Sequence, residues 1–449
     1  MSIPTTTEHR PGAAPARPAL FTAGKLGGMT DVEIVNPVPV DESRAWLAAL
    51  SPAFLDQSGG DLFDRMAERW QREWFPNRTW GARAGGQWVA SLTTSPRSIS
   101  IPAGLATTTD VEVDALTEVS VSPTHRRRGI MRSLMTESLR SAKERGEPFS
   151  ILITSQWPIY GRFGYAPASA YADYTLLTGG RGGWLLGPSG SGSIRHADPQ
   201  SLGAIAPAVF DRVRRLRSGG VDRRDEWWPR RLGLNGYRPI NPAGLPNYYV
   251  RDGAEGPDGL LWWSGTRGFE LNGDLGAVQV GGLFAATDDA YRDLWAFMCS
   301  FDLAGEVRIG NRSTDEPARW LLTDGRALRQ TYAGDALWLR LLDVAAALSA
   351  RGYATTDRLV LDVIDNDADG FGQGRFALEA GAEESSCEPT TAEPDVRLSQ
   401  RALAAVYLGG HTLRQLHLAQ PVDELTPGAI NRLDLMFTTS VAPWNATMF

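Results

Sequence analysis

Cysteine is nearly missing from this 449-residue chain, which has two, Cys299 and Cys387. Their spacing matches no metal-ligand pattern and no disulfide framework. That excludes a cysteine-built metal site and a stapled secreted scaffold, and points to a reducing cytoplasm. Long apolar runs are missing too: nothing approaches the ~18 consecutive apolar residues of a membrane helix. The stretch before Met29 carries Pro4, Pro11, Pro15, Pro18 and three consecutive threonines but no apolar h-region, so it is no secretory signal and reads as a flexible leader. An excess of positive charge is the third absence. Lys and Arg number 45 against 52 Asp and Glu, a formal charge of −7. This balance argues against a nucleic-acid partner and favours a cationic substrate.

What remains is ordinary for a globular protein, with 42% hydrophobic and 22% charged residues, enough for about two to four domains with cores of their own. Apolar alternation predicts strands over Thr79 to Ala84, Gln87 to Thr93, Arg97 to Pro102 and Thr108 to Asp114, after a helical region rich in aromatics. A strand through Val119 and Val121 then turns at Pro123 into a basic loop. Behind the loop, Ile130, Leu134, Met135, Leu139 and Ala142 form one apolar helical stripe, stopped by Gly146 and Pro148. A strand from Phe149 to Thr154 follows, and another from Ser169 to Leu177. An antiparallel half followed by a parallel pair predicts a mixed sheet.

The run Gly179 to Gly192 is the clearest linker. Beyond it, strands, a helix over Ala290 to Asp302 and a strand at Val307 to Gly310 recur in the order of the first half, without the basic loop. The expected layout is a leader 1–28, a first unit 29–178, a linker 179–193, a second unit 194–330 and a third unit 331–449. The last twelve residues, Thr438 to Phe449, hold no charged side chain and several apolar ones, and are expected to dock.

The chemistry concentrates in Arg126-Arg127-Arg128-Gly129. A helix N-terminus offers unpaired N–H groups and a partial positive charge, glycine lets backbone approach a ligand, and arginines add charge-assisted bonds to phosphate oxygens. Strand, basic loop, helix and strand together make a phosphate cradle, here for a coenzyme pyrophosphate. On the loop alone, a solvated basic turn explains the residues equally well.

The wider motif favours the cradle. Val-x-Val-x-Pro-x-His-Arg-Arg-Arg-Gly-Ile over Val119 to Ile130, then the helix, the strand and Ile159-Tyr-Gly-Arg-Phe-Gly-Tyr165, resembles the GNAT acetyltransferases and, more narrowly, their enhanced-intracellular-survival (Eis) branch. The resemblance is close over Leu116 to Ala168 and returns at Asp335 to Leu342, Ala350 to Tyr353 and Tyr407 to Gly410. Arg126 and Gly129 fit the general GNAT loop. Met131 departs from it in the manner of the Eis branch. The resemblance implies an α+β chain with two tandem GNAT folds and a sterol-carrier-protein-like α/β C-terminal domain. It further implies acetyl-CoA as co-substrate, no metal, a homo-hexamer, and N-acetylation of amines, aminoglycosides included. No membrane or nucleic-acid partner is expected.

Carried over by position, Val119, Val121 and Ser155 would contact the coenzyme, and Arg126, Arg127, Arg128 and Gly129 would hold its pyrophosphate. Tyr160 matches the family's general acid, and the carboxylate of Phe449 its base or cation anchor. Glu118 stands where the Eis pattern has an aromatic. It is a second base, a cation anchor, or a residue pointing away. Asp56, Trp70 and Trp74 fall in the segment that builds the family's substrate pocket, but no motif fixes their register and a core or helix-surface place suits them better. His125 is read as structural or solvated. The leading function is transfer of acetyl to a primary amine of a cationic small molecule: aminoglycoside-like, polyamine or lysine. A biosynthetic or self-resistance N-acyltransferase for one amine natural product is the alternative within enzymes. A non-catalytic lipid- or coenzyme-binding protein is the alternative outside them.

Overall fold

A computed structural model describes residues 32–49, 60–178, 191–237, 246–269, 275–365, 370–381, 384–419 and 421–449. The leader 1–28, Asp56 and most of the 179–193 linker lie outside them. The chain opens with β1 (Val32–Val35), α1 (Ser43–Ala48), α2 (Asp61–Arg72), β2 (Thr79–Ala84), β3 (Gln87–Pro102) and β4 (Thr108–Val121). Next come α3 (Ile130–Glu144), β5 (Phe149–Ile153), the single turn α4 (Trp157–Tyr160), β6 (Ala166–Pro167) and β7 (Ala170–Leu177). The middle stretch holds β8 (Ser193–Ala197), α5 (Pro199–Arg214), α6 (Trp227–Leu232), β9 (Asn247–Gly253) and β10 (Gly256–Phe269). It continues through β11 (Leu275–Ala285), α7 (Asp288–Cys299), β12 (Ala304–Arg312) and β13 (Leu328–Asp335). The last stretch has β14 (Leu337–Leu341), α8 (Val344–Ala350), β15 (Asp357–Ile364), β16 (Gly374–Ala380) and β17 (Ser386–Pro389). It closes with β18 (Val396–Ser399), α9 (Gln400–Val406), α10 (Leu413–Leu416), β19 (Val422–Glu424) and α11 (Ala429–Phe437). No helix among the described residues is long and apolar enough to cross a membrane.

Two sheets follow one plan. The first runs β1-β2-β3-β4-β5-β14-β6 and the second β8-β9-β10-β11-β12-β7-β13. In both, one parallel pair interrupts an antiparallel sheet: β4 with β5, and β11 with β12. A helix joins each parallel pair, α3 or α7, as a crossover must. The mixed sheets expected from the sequence are present, and the second set is a copy of the first.

The copies are cross-linked by their strands. β7, which follows the first unit, sits between β12 and β13 of the second sheet. β14, which follows the second unit, sits between β5 and β6 of the first. The expected borders at 178 and 331 therefore do not follow sheet membership. Alternation marks a strand, but the partner of a strand is non-local and leaves no trace in its own residues. β14 shows why the central place suits it. Leu337, Leu339 and Leu341 face the core shared with the third unit, and Trp338 faces the α3 core, all of them fully buried.

Two other expectations merge. Gln87 to Thr93 and Arg97 to Pro102 form one strand, β3, and the predicted Thr108 to Asp114 strand continues to Val121 in β4. Pro96 ends the prediction but not the strand. It lies past Thr93, the last residue paired to β2, where a missing N–H breaks no ladder on that side.

A buried charge cluster locks the parallel pair. Asp114, fully buried, accepts from Arg78 Nη1 and Arg145 Nη2, each at 3.0 Å, and from Ser150 Oγ at 3.0 Å. Tyr165 donates to Ser150 Oγ at 2.7 Å, and Glu147 takes the second nitrogen of Arg78 at 2.5 Å. Burial, with Glu147 nearby, pushes the Asp114 carboxyl up to about 6. Removing one partner of such a cluster strands the other charges. Asp114→Ala is therefore expected to lower stability by about 3–5 kcal/mol, read as a shifted urea midpoint. A midpoint equal to that of the parent would show that the two arginines find partners elsewhere.

Candidate active site

One extra residue shapes the site. Across β3 and β4, Ser91 pairs with Ser120 and Thr93 with Thr117, so Glu118 and Val119 together oppose Leu92. This is a β-bulge, and Glu118 adopts a left-handed φ of 52° to make it. A non-glycine residue held there costs of order 1–3 kcal/mol, and such strain gathers at functional positions. The bulge bends β4 away from β5. Their parallel pairing spans Asp114 to Leu116 against Ser150 to Leu152 and then stops. Past it, the main chain of Thr117 to Val121 has no β5 partner, and a slot opens between two strands of one sheet. Val119 and Val121, half-buried, pack with Met131 and Tyr160 along the α3 side.

At the slot's end lies the basic loop. Arg126 Nε bonds to Val121 O at 3.2 Å and Arg128 Nη2 to Thr124 O at 3.3 Å, which bends the loop back over the strand. Arg127 (φ 65°) and Gly129 (φ 84°) are both left-handed. No side chain caps α3, so its first-turn N–H groups face outward. Arg126, Arg127, Arg128 and Gly129 are all exposed. Successive main-chain N–H groups at an uncapped helix start, ringed by guanidiniums, form an anion cradle. His125 bonds to Thr124 Oγ1 at 2.9 Å within the loop.

The second unit shows the same architecture closed. Its β11 carries a matching irregularity, with Gly281 as the extra residue between Val280 and Gly282. There, however, Arg312 Nη1 reaches across from β12 to Leu283 O at 2.8 Å, and Trp444 packs on Arg312 and Phe284. α7 is capped by Thr287 and begins with Asp288 and Asp289. An acidic, capped helix start repels a phosphate. The slot is filled and the cradle reversed.

Tyr160 ends α4 beside the open slot. Its ring stands 6.1 Å from Tyr165, edge to face, and burial pushes its phenol up to about 12. β14 holds this turn in place. Trp338 packs edge-on to Trp157 at 4.9 Å, and the fully buried Arg340 donates to Phe163 O. Ser155, exposed, lies just before the turn.

On the opposite face of the sheet from α3 lies Phe449. Thr117 Oγ1 donates to the Phe449 main-chain oxygen at 3.2 Å, directly beside Glu118. Burial raises the Glu118 carboxyl, while Arg69 pulls it down. The expected docking of residues 438 to 449 is met by contacts along its length, chiefly with the second unit. Ala442 N reaches Asp315 Oδ2 at 2.8 Å, Trp444 N reaches Ser218 O at 2.9 Å, and Thr447 Oγ1 reaches Val221 O at 2.8 Å.

Arg223 supplies a further anchor for this segment. Its guanidinium lies 3.8 Å from the Phe210 ring and 3.7 Å from Trp227, with Trp228 and Phe284 closing the box, and it donates to Ala446 O at 3.1 Å. Cation–π attraction offsets part of the desolvation that holds this guanidinium well below its usual range.

The structure thus brings Glu118, Phe449, Val119, Val121, Tyr160 and the Arg126–Gly129 loop around one slot. Trp70 and Trp74 instead join Trp46, at 6.1 and 5.5 Å, in a small core. Among the described residues no three His, Cys, Asp or Glu side chains are grouped to hold a metal. Sequence reasoning missed Thr117, Arg223 and Arg340. The one signal for Arg223 is a run of aromatics around it, Phe210, Trp227 and Trp228. Arg223→Met is expected to leave the box filled but to free Ala446. Amide exchange over residues 442–449 should accelerate at least about tenfold, the size of a lost charge-assisted bond. Unchanged exchange would show that the other contacts suffice.

A family described as an acetyltransferase (GNAT) domain matches residues 35–168, a second of that description matches 219–341, and a sterol carrier protein domain matches 344–446. An uncharacterized N-acetyltransferase of Streptomyces avermitilis is 34% identical over 423 residues, 92% of this chain and 98% of that protein. N-acetyltransferase Eis of Mycobacterium tuberculosis is 32% identical over 344 residues, 74% and 80% of the two chains. The crystal structure of Eis1 from Mycobacterium abscessus superposes with a TM-score of 0.79 at 28% identity, covering 94% of this chain and 100% of that one.

Proposed function

The chain belongs to the Eis family of GNAT N-acetyltransferases, with two GNAT domains and a sterol-carrier-like domain, and from that premise we propose that it transfers acetyl from acetyl-CoA to a primary amine. The acceptor is a cationic small molecule: aminoglycoside-like, polyamine or lysine. The observation that carries this reading is the contrast between the two copies. The slot and uncapped helix start are open in the first, and plugged by Arg312 and reversed in charge in the second.

Acetyl-CoA supplies an activated thioester. The residues present fit it: Arg126, Arg127, Arg128 and the first-turn N–H groups behind Gly129 suit a pyrophosphate, and the unpaired edge from Thr117 to Val121 suits an amide-bearing arm. Ser155 stands where it would add a contact. Main-chain N–H near Val121 would polarise the thioester carbonyl. Attack is direct, since Cys299 and Cys387 lie on α7 and β17, away from the slot.

Tyr160 keeps its proton through the neutral range, because burial holds the phenol up to about 12. Its hydroxyl is therefore always a donor, able to hydrogen-bond a departing thiolate. The proton on the incoming ammonium must go elsewhere. The Phe449 carboxylate, bonded to Thr117, and Glu118, the next residue along, would anchor the cation and accept that proton. A carboxyl raised by burial is the better base of its kind. The assembly proposed with this reading is a cytoplasmic homo-hexamer, checked by sedimentation.

Thiol release from acetyl-CoA in the presence of amine panels tests the reading. Tyr160→Phe is expected to lower kcat by roughly 10²–10⁴-fold while coenzyme still binds in calorimetry. A rate equal to that of the parent would remove Tyr160 from the chemistry.

The base leaves a pH signature. A carboxylate base works only when deprotonated, so kcat/KM should climb as pH rises through an apparent pKa above that of an ordinary glutamate. Glu118→Gln should erase this acidic limb. A limb retained in that variant assigns it to another group.

A further inference from the structure

Building on the amine-acceptor reading, we propose that the acceptor also carries a carboxylate, and that Arg97 is the residue that binds it. Arg97 lies on β3, paired with Val113, as Thr93 is paired with Thr117. Counted in steps of two, Arg97 and Thr117 share one face of the sheet, the face on which Phe449 sits. The guanidinium carbon of Arg97 is 6.0 Å from the Phe449 ring.

Arg97 is 7% exposed, and its Nε and Nη1, like Asp222 Oδ1 facing it, are buried without a hydrogen-bond partner among the described residues. Its closest carboxylate, Asp222 Oδ1, is 3.9 Å from Nη1, beyond bonding distance. Arg223 leaves the same two nitrogens without acceptors, but there four aromatic rings surround the guanidinium. Arg351, 1% exposed, instead bonds to the carbonyls of Tyr407, Gly352 and Phe437 at 2.7–2.9 Å. Buried guanidinium nitrogens left without acceptors cost free energy that an arriving anion restores.

The surrounding charges have room for that anion. Asp222 and Glu73 attract Arg97, while Arg224 and Arg230 repel it. Glu73 is already shared by Arg230 at 3.4 Å and Arg69 at 3.8 Å. Three guanidiniums, those of Arg97, Arg224 and Arg230, therefore face two carboxylates, one of them also serving a fourth. Glu118 and Phe449 offer acceptors for an ammonium on one side, and Arg97 offers donors for a carboxylate on the other. An amino acid matches both. A polycation would set like charge against three arginines.

Matched pairs test this: lysine against cadaverine, ornithine against putrescine, histidine against histamine and tyrosine against tyramine, each with acetyl-CoA and thiol release as the readout. The expected result is a kcat/KM at least about tenfold higher for the carboxylated member of a pair. Arg97→Gln should collapse that ratio, mainly through KM. Asp222→Asn, which removes the anion competing for Arg97, should enlarge it. Thermal melts and coenzyme binding by both variants report folding. Because the two substitutions move the ratio in opposite directions, general damage cannot mimic them. Equal rates within pairs, a preference for the decarboxylated amines, or a ratio blind to Arg97 in a folded variant would overturn the inference while leaving the acetyltransferase reading intact. No turnover of either member of any pair, with aminoglycosides and polyamines inert as well, would overturn that reading and this inference with it.

Discussion

A β-sheet cannot admit a ligand between two of its strands while their ladder is complete. The bulge at Glu118 removes that obstacle. One surplus residue, in a backbone conformation that glycine would adopt more cheaply, ends the pairing of β4 and β5 at Leu116 and exposes main-chain groups on an interior strand. Both cores that flank the sheet are arranged around this parting. The α3 core fills one side with Val119, Val121 and Tyr160, and the core shared with the third unit carries Phe449 on the other. Just before the parting, the Asp114 cluster holds the strands together, so that they separate at a defined place instead of fraying.

The second GNAT copy shows what the same fold does once the slot is filled. Arg312 and Trp444 occupy the parting of β11 and β12, and Trp444 belongs to the segment that ends at Phe449. Filling one site and furnishing the other are thus linked. The copy that holds no slot of its own grips residues 442–447 and delivers the next two to the open one. Exchange of β7 and β14 makes the grip rigid, since neither sheet can shift without moving a strand that the other unit supplies. β14 adds a second effect, because Trp338 and Arg340 brace the turn bearing Tyr160.

Local physics was readable in the residues, and pairing was not. The apolar stripe of α3, its stop at Gly146 and the basic loop all depend on neighbours a few positions apart, and they stand where periodicity and glycine placement put them. The bulge at Glu118 depends on Leu92 across the sheet. The exchange of β7 and β14 depends on strands more than a hundred residues away, and the box around Arg223 is completed by Phe284. Motif resemblance pointed to Val119, Val121, the basic loop and Tyr160 because those lie within one continuous stretch. Resemblance also singled out Phe449, which no local pattern could have done, and the structure bonds it to Thr117. It passed over Arg97, because an arginine within a strand has no motif, only surroundings.

Those surroundings bear on substrate choice through a difference in electrostatics between the two ends of one short path. At Thr117, a raised glutamate carboxyl and the Phe449 oxygen present acceptors to whatever arrives. Along the same face, β3 presents a guanidinium with unspent donors among its own kind. A free polyamine would satisfy the first end and be opposed at the second, where low exposure leaves little water to screen like charges. With Arg97 as the proposed anion site, one face would orient a zwitterion in a single direction, with its amine toward the strand edge. Orientation of that kind contributes to rate as well as affinity, because an amine held in line with its target has already lost the freedom that attack requires it to lose.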